Sequence, residues 1–109
     1  TFEKKKFLSR PKFLKKVHHN AHIYYILVKK ASRDKILRYL NKNKVNATFH
    51  YLPLHESSYY KKRFKKKLKL KVSRDIADRI IRLPISHSLE KKQFEYIIKF
   101  LIKSLKLYG

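Results

Sequence analysis

The sequence predicts an α+β fold in which helices pack on one face of a small three-stranded sheet, antiparallel or mixed. Residues 21–29 are dense in β-branched and aromatic residues, which is typical of a strand. Apolar residues in 94–105 recur three and four positions apart, which is typical of an amphipathic helix. Short segments of both kinds alternate along the chain, and 43% hydrophobic residues in 109 are enough for one small domain with one core.

The first strand is predicted at 21–29, "AHIYYILVK". A helix should follow, with Ser32 as its N-cap and Asp34 in its first turn, where the helix dipole favours an acid. Its apolar stripe consists of Ile36, Leu37 and Leu40. The Asn-Lys-Asn run at 41–43 should end this helix, since asparagine tolerates the left-handed conformation.

A second strand is predicted at 44–51, "KVNATFHY", because apolar and polar residues alternate there. Val45, Ala47, Phe49 and Tyr51 should face the core. The opposite, polar face should then carry His50. Pro53 should stop strand pairing after residue 52.

The third part of the chain is predicted to hold a basic irregular stretch, a short helix, a short strand and a long helix. Residues 56–72 form the irregular stretch, with 61–71 exposed and mobile. Ser73 should cap the short helix, with Asp75 in its first turn. Residues 80–86, "IIRLPIS", should end that helix and form a brief or edge strand before Pro84.

Ser88 should cap the last helix, with Glu90 near its start. Its apolar stripe follows the i, i+3, i+4, i+7 pattern and comprises Phe94, Ile97, Ile98, Leu101, Ile102 and Leu105. Before all these elements, residues 1–19 read as a basic connecting segment interrupted by Pro11, so the domain itself should span 20–109. The chain begins at Thr1 and has no methionine, which favours a fragment or a processed chain.

The chain is strongly basic, with 30 Lys and Arg against 7 Asp and Glu and a net charge of +23. Such an excess attracts polyanions. It also fits compositional drift, because lysine lies in every segment and isoleucine, asparagine and tyrosine are abundant. The absence of cysteine excludes disulfides and thiolate chemistry and is compatible with the cytoplasm. No apolar run approaches the roughly 20 residues of a membrane span.

The stretch 49–60, "FHYLPLHESSYY", concentrates side chains that could carry chemistry. A metal site needs three or four convergent ligands, and the only nearby acid is Glu56, so no metal is expected. Acid–base catalysis by His50 would need a partner that the spacing does not supply. A contact to a phosphate or a sugar hydroxyl remains open, as does a purely structural role at the end of a strand. No glycine-rich phosphate loop is present.

Three motifs in order resemble the C-terminal domain of the DegT/DnrJ/EryC1/StrS family of aminotransferases. They are "NAHIYYILVK" at 20–29, "NATFHYLPLHESSYY" at 46–60 and "IADRIIRLPISHSLEKKQFEYIIKFL" at 76–101. The branch that they resemble most is the dTDP-4-amino-4,6-dideoxygalactose transaminases.

The resemblance implies the small domain of a fold-type I, pyridoxal phosphate (PLP)-dependent enzyme. Such an enzyme is a homodimer that moves an amino group, usually from glutamate, to a dTDP-4-keto-6-deoxy sugar for surface polysaccharide synthesis. By the same resemblance, His50 and Tyr51 would face the PLP and the sugar–phosphate region, and His55 would help to shape or line the same loop. All three are predicted to bind the substrate. The Schiff-base lysine would lie in a large domain absent from this chain, so no catalytic or cofactor-binding residue is assigned here.

Two other functions stay open. A small RNA- or DNA-binding module would use the basic stretch 61–71, with Tyr59 and Tyr60 as stacking partners. The cations of that patch would be Lys61, Lys62, Arg63, Lys65, Lys66 and Lys67. The second open function is that of a non-catalytic remnant, which would only pair with another subunit.

Overall fold

The computed structural model describes residues 7–65 and 68–109. Three strands, four α-helices and one 3-10 turn follow one another along this part of the chain. In order they are β1 (Leu8–Ser9), β2 (Tyr24–Val28), α1 (Lys30–Lys42), the 3-10 turn (Leu54–Glu56), α2 (Ser58–Phe64), α3 (Lys71–Arg79), β3 (Ile80–Leu83) and α4 (Lys91–Tyr108).

The three strands form one antiparallel sheet in the order β1-β2-β3. Leu8 pairs with Val28, and on the other side of β2, Leu27 pairs with Ile80. Side chains of a strand alternate between its two faces. One face of the sheet, together with α1 and α4, encloses the core, so the predicted α+β class with a three-stranded sheet is confirmed.

The predicted strand at 44–51 is wrong. Only Thr48 pairs with the sheet, through an isolated bridge to Arg82. The Ala47 amide donates to the Val45 carbonyl two residues back, at 2.7 Å, and this tight turn interrupts the extended backbone that a strand needs. The third strand comes instead from Leu8–Ser9, within the predicted connecting segment.

The prediction that one face of 44–51 points into the core is right only for the first half of the segment. Val45 and Ala47 are buried, whereas Phe49 is 59% exposed and Tyr51 is 77% exposed. Because the chain turns at Ala47, the strict two-residue alternation does not continue past the bridge. The two aromatic rings therefore belong to the surface beside His50.

None of the three predicted serine caps is in place. The helix after β2 begins at Lys30 and the short helix begins at Lys71, so Ser32 and Ser73 lie inside their first turns and neither helix has an acid there. The last helix begins later than predicted. Glu90 caps it, with its side chain accepting from the Gln93 amide while the Gln93 Oε1 accepts from the Glu90 amide at 2.9 Å.

The end of α1 is at Lys42, as predicted, but the left-handed residue is not an asparagine. Asn43 has a φ of −93°, and Lys44 has a φ of +57°. The asparagine side chains act differently. The Asn41 amide donates to the carbonyls of Leu37 and Ala47, so it ties the helix end to the segment that follows.

The basic stretch predicted as irregular contains a helix, α2. Ser57 caps it by accepting from the Tyr60 amide at 3.1 Å, and the rings of Tyr60 and Phe64 pack 4.8 Å apart. Lys65 ends it with a left-handed φ of 48°. Lys66 and Lys67, which belong to the predicted basic patch, lie outside the described residues.

The core contains three of the six residues of the predicted stripe of α4. Ile97, Leu101 and Leu105 are buried, whereas Phe94 is largely exposed, contrary to the prediction. Ser104 is also fully buried, and its hydroxyl donates to the Leu101 carbonyl at 2.7 Å, so it hides no unpaired polar group. In the part of the chain that the structure describes, no helix is both long and apolar enough to cross a membrane.

Candidate functional site

A shallow cleft of about 280 Å³ opens beside His50. Its walls come from three places: the first half of α1, the segment 49–53 and the middle of α3. Its lining residues are Arg33, Asp34, Leu37, Phe49, His50, Tyr51, Leu52, Pro53, Arg74, Ala77 and Asp78. The turn at Ala47 and the stop at Pro53 keep the segment 49–53 out of the sheet, and this places its side chains over the two helices.

His50 is the most distinctive side chain of the cleft. Its Nδ1 is buried and makes no hydrogen bond to any described residue. Its ring packs edge-on against Tyr51, with ring centres 5.2 Å apart. Leaving a buried polar atom unpaired costs about 1–3 kcal/mol. Within the described residues, the hydrogen-bonding capacity of this ring nitrogen is therefore unused.

Arg33 supplies a cation to the same wall. Its guanidinium carbon lies 5.9 Å from the centre of the Phe49 ring. Its Nε lies 2.9 Å from an oxygen of Asp34 but is not aligned for a hydrogen bond with it, so the two form an ion pair only. Arg33 Nε is thus a second buried nitrogen of the cleft residues that has no hydrogen bond among the described residues.

A network of ion pairs closes the floor of the cleft. Asp78 accepts from Lys30 at 2.6 Å and from Arg74 at 3.2 Å, and Arg74 also pairs with Glu56. The hydrogen bond from Lys30, with the added charge of Arg74, lowers the pKa of Asp78, although its burial opposes this shift. Asp78 and Glu56 in turn raise the pKa of Arg74, so Asp78 and Arg74 both stay charged near neutral pH.

The predicted site residues separate into two places. His50 and Tyr51 line the cleft together, whereas His55 does not line it. The His55 side chain is buried in the 3-10 turn, with its Nε2 3.6 Å from Glu56. The contact with Glu56, which pairs with Arg74, is the link between His55 and the residues of the cleft. Within the described residues, no three His, Asp or Glu side chains converge in a way that could hold a metal ion.

Sequence reasoning missed Arg33, Arg74 and Asp78. One signal was present: Arg74 and Asp78 are four residues apart, a spacing that places opposite charges together on a helix. Another was the rarity of acids, since Asp34, Glu56 and Asp78 are three of only 7 in the whole chain. Each of these three acids pairs with a cation, so the few acids of the sequence were a guide to the ion pairs of the cleft.

The model of the DegT/DnrJ/EryC1/StrS aminotransferase family matches residues 2–102. The chain belongs to this family. No curated protein sequence matches it significantly. Enzymes of the DegT/DnrJ/EryC1/StrS family depend on PLP and are generally dimeric.

Solved structures of aminotransferases share the fold. The aminotransferase TlmJ from Streptoalloteichus hindustanus superposes with a TM-score of 0.84 at 25% identity, over 94% of this chain and 27% of that one. PseC from Helicobacter pylori, an aminotransferase of pseudaminic acid biosynthesis, gives 0.74 at 26% identity, over 80% and 24%. NtdA from Bacillus subtilis, with bound pyridoxamine phosphate, gives 0.81 at 17% identity, over 96% and 24%, and shows the fold alone. The chain thus spans about a quarter of the length of these enzymes.

The cleft does not by itself fit a covalently held PLP. PLP-dependent enzymes of this kind join the cofactor to a lysine amine. No lysine is among the described residues that line the cleft, and Lys30 below it is paired with Asp78. The cleft is lined instead by charged and hydrogen-bonding groups, aromatic rings and four aliphatic side chains, Leu37, Leu52, Pro53 and Ala77.

Proposed function

We propose that this chain is the small C-terminal domain of a PLP-dependent sugar aminotransferase and supplies the substrate side of its active site. The enzyme would move an amino group from glutamate to a dTDP-4-keto-6-deoxy sugar. The lysine that carries PLP would come from a large domain outside these residues. The observation that carries the proposal is the buried, unpaired Nδ1 of His50 in an open cleft.

The cleft has the parts that recognition of a sugar nucleotide needs. His50 and Arg33 offer nitrogens for hydroxyl or phosphate oxygens, and Tyr51 adds a phenol that is mostly exposed. The carboxylates of Asp34 and Asp78 can accept from hydroxyl groups but disfavour a multiply charged phosphate. The cleft therefore suits the sugar better than the diphosphate, which would extend away from these acids.

His55 has an indirect role in this proposal. It lies against Glu56, which holds Arg74 at the floor of the cleft. In this proposal it is a positioning residue for Arg74 at the floor of the cleft. The exposed aromatic rings Phe49 and Tyr51 would pack against the large domain or the substrate. The intact enzyme would be a homodimer and would act in the cytoplasm.

Loss of the His50 imidazole is expected to weaken turnover. We consider a full-length family member in which residues 2–102 of this chain replace the matched segment, assayed with glutamate and dTDP-4-keto-6-deoxyglucose. His50→Ala should lower kcat/KM about 3- to 10-fold, because one hydrogen bond to the substrate is lost. The matched control is His87→Ala, at an exposed position outside the cleft, which should leave kcat/KM unchanged.

A binding measurement on the 109-residue chain tests the same site without the large domain. In a titration with a dTDP-linked sugar, the NMR signals of His50 and Tyr51 should shift, and that of His87 should not. Equal kcat/KM for His50→Ala and the unsubstituted chimaera, or shifts at His87 alone, would remove His50 from the site. Turnover by the 109-residue chain with added PLP would refute the need for a large domain.

A further inference from the structure

Helices α1 and α4 lie side by side and antiparallel. At one end, the Lys29 ammonium donates to the Gly109 carbonyl at 3.3 Å. At the other end, the Tyr96 hydroxyl donates to the Asn43 carbonyl at 3.1 Å. The seam between the two helices therefore runs along most of the length of α1, on the side away from the cleft at His50.

Four aromatic rings follow this seam in a continuous row, which we call the aromatic seam. Tyr96 contacts Phe100 at a centre-to-centre distance of 4.6 Å, Phe100 contacts Tyr39 at 6.3 Å, and Tyr39 contacts Tyr108 at 6.0 Å. The row is not hidden in the core, since Tyr96 and Tyr108 are about two-fifths exposed. An aromatic row at the surface offers ring area to a partner.

A groove of about 490 Å³ lies along the same seam and is basic. Lys35, Arg38 and Lys42 line it at i, i+3 and i+7 of α1, together with Tyr39, Asn43 and Tyr108. Lys103 of α4 is a further cation beside the seam but outside the groove, with its ammonium 5.6 Å from the centre of the Phe100 ring. None of the described residues that line the groove is an acid or an aliphatic residue.

The nearest acids on both helices are turned to other partners. Asp34 of α1 pairs with Arg33 in the cleft at His50. Glu95 of α4 lies 4.0 Å from Lys91. The cations of the groove thus have no acid among the lining residues to neutralise them. Such a cluster attracts a polyanion and releases counterions when it binds one.

We propose that the groove and the aromatic seam bind single-stranded nucleic acid. A row of cations that follows a backbone, beside tyrosine rings on which bases can stack, is the combination that single-strand binding uses. A duplex hides its bases, so the rings favour a single strand. An anionic membrane would favour aliphatic side chains, which the groove lacks. This surface differs from the predicted basic stretch 61–71, and the proposal is independent of the aminotransferase function.

The charge part of the proposal is tested with a fluorescent 12-nucleotide oligo(U) and fluorescence anisotropy at several salt concentrations. The triple variant K35Q/R38Q/K42Q should raise Kd about ten- to hundredfold at low salt and reduce the slope of log K against log salt by about 2, at about 0.7 per lost contact. The control triple K61Q/K62Q/R63Q removes the same charge from α2 and should change Kd much less.

The stacking part is tested with Tyr108→Leu, which should raise Kd about fivefold or more without changing the salt slope. Tyr59→Leu, at an exposed tyrosine of α2, is the matched control. Circular dichroism should show the same helix content in all variants, since each substituted side chain lies at the surface.

Each outcome decides the proposal. A larger effect of the α1 triple than of the α2 triple, with a Tyr108 effect, supports it. Equal effects of the two triples show diffuse attraction by net charge and overturn it. Binding to phosphatidylserine vesicles without binding to oligo(U) also overturns it, as does binding of a duplex as tight as that of oligo(U).

Discussion

Replacing Ile36 with alanine should lower the free energy of unfolding by about 2–5 kcal/mol. Ile36 is fully buried, on the face of α1 that packs with the sheet and α4. Alanine would leave a cavity that these elements cannot all move to fill, so the lost contacts add to the lost burial. Urea unfolding followed by circular dichroism measures the change.

A surface control separates burial from helix propensity. Val72→Ala on α3 removes a β-branched side chain that is 77% exposed, and it should change the unfolding free energy by less than about 0.5 kcal/mol. An Ile36→Ala protein as stable as Val72→Ala would contradict the assigned core. An unchanged m-value in both would show that the same surface is exposed on unfolding.

Asp78→Asn should lower the free energy of unfolding by about 1–2 kcal/mol, the second-largest stability effect expected. Asp78 is buried and holds Lys30 at 2.6 Å and Arg74 at 3.2 Å. Hydrogen bonds to a charged group contribute about 1.5–3 kcal/mol, and the expected loss lies around or below the lower end of that range because both cations are substantially exposed. The same change should loosen Arg74 at the floor of the cleft.

Asp75→Asn is the control, because it makes the same change one turn earlier on α3. Asp75 is half-exposed and pairs with Arg79 at 2.8 Å, a surface pair worth about 0.3–0.5 kcal/mol. Thermal unfolding of the two variants side by side compares them. Equal losses of stability in Asp75→Asn and Asp78→Asn would show that the ion pairs of Asp78 contribute no more than an exposed surface pair.

The contribution of Asp78 to the free energy of unfolding should depend on pH in a defined direction. The folded-state pKa of Asp78 is lowered by Lys30 and Arg74, so its contribution is fully present above the unfolded pKa of about 3.9. It is lost as the pH falls through the lowered folded pKa. The stability difference between the unsubstituted chain and Asp78→Asn should therefore shrink below about pH 4. A difference that grows with acid would contradict this assignment.

The candidate site was only partly predictable from sequence. The motif "FHYLPLH" pointed to His50 and Tyr51, and both line one cleft. The same motif suggested an equal place for His55, but the 3-10 turn buries that side chain beside Glu56. Arg33 and Arg74 come from helices about 40 residues apart in the chain, and no local pattern brings distant charges together.

The sequence by itself determined the fold class, three of the four α-helices and much of the core, because the spacing of apolar residues sets which face of an element is buried. It also carried the family resemblance. Only the tertiary structure decided which segment became the third strand. Leu8–Ser9 pairs with β2 at one edge of the sheet, whereas 44–51 keeps a single bridge to β3 at the other edge because of its turn at Ala47, and pairing between distant segments leaves no mark in local periodicity. It also decided the cleft and the aromatic seam, because both lie between elements that are far apart along the chain.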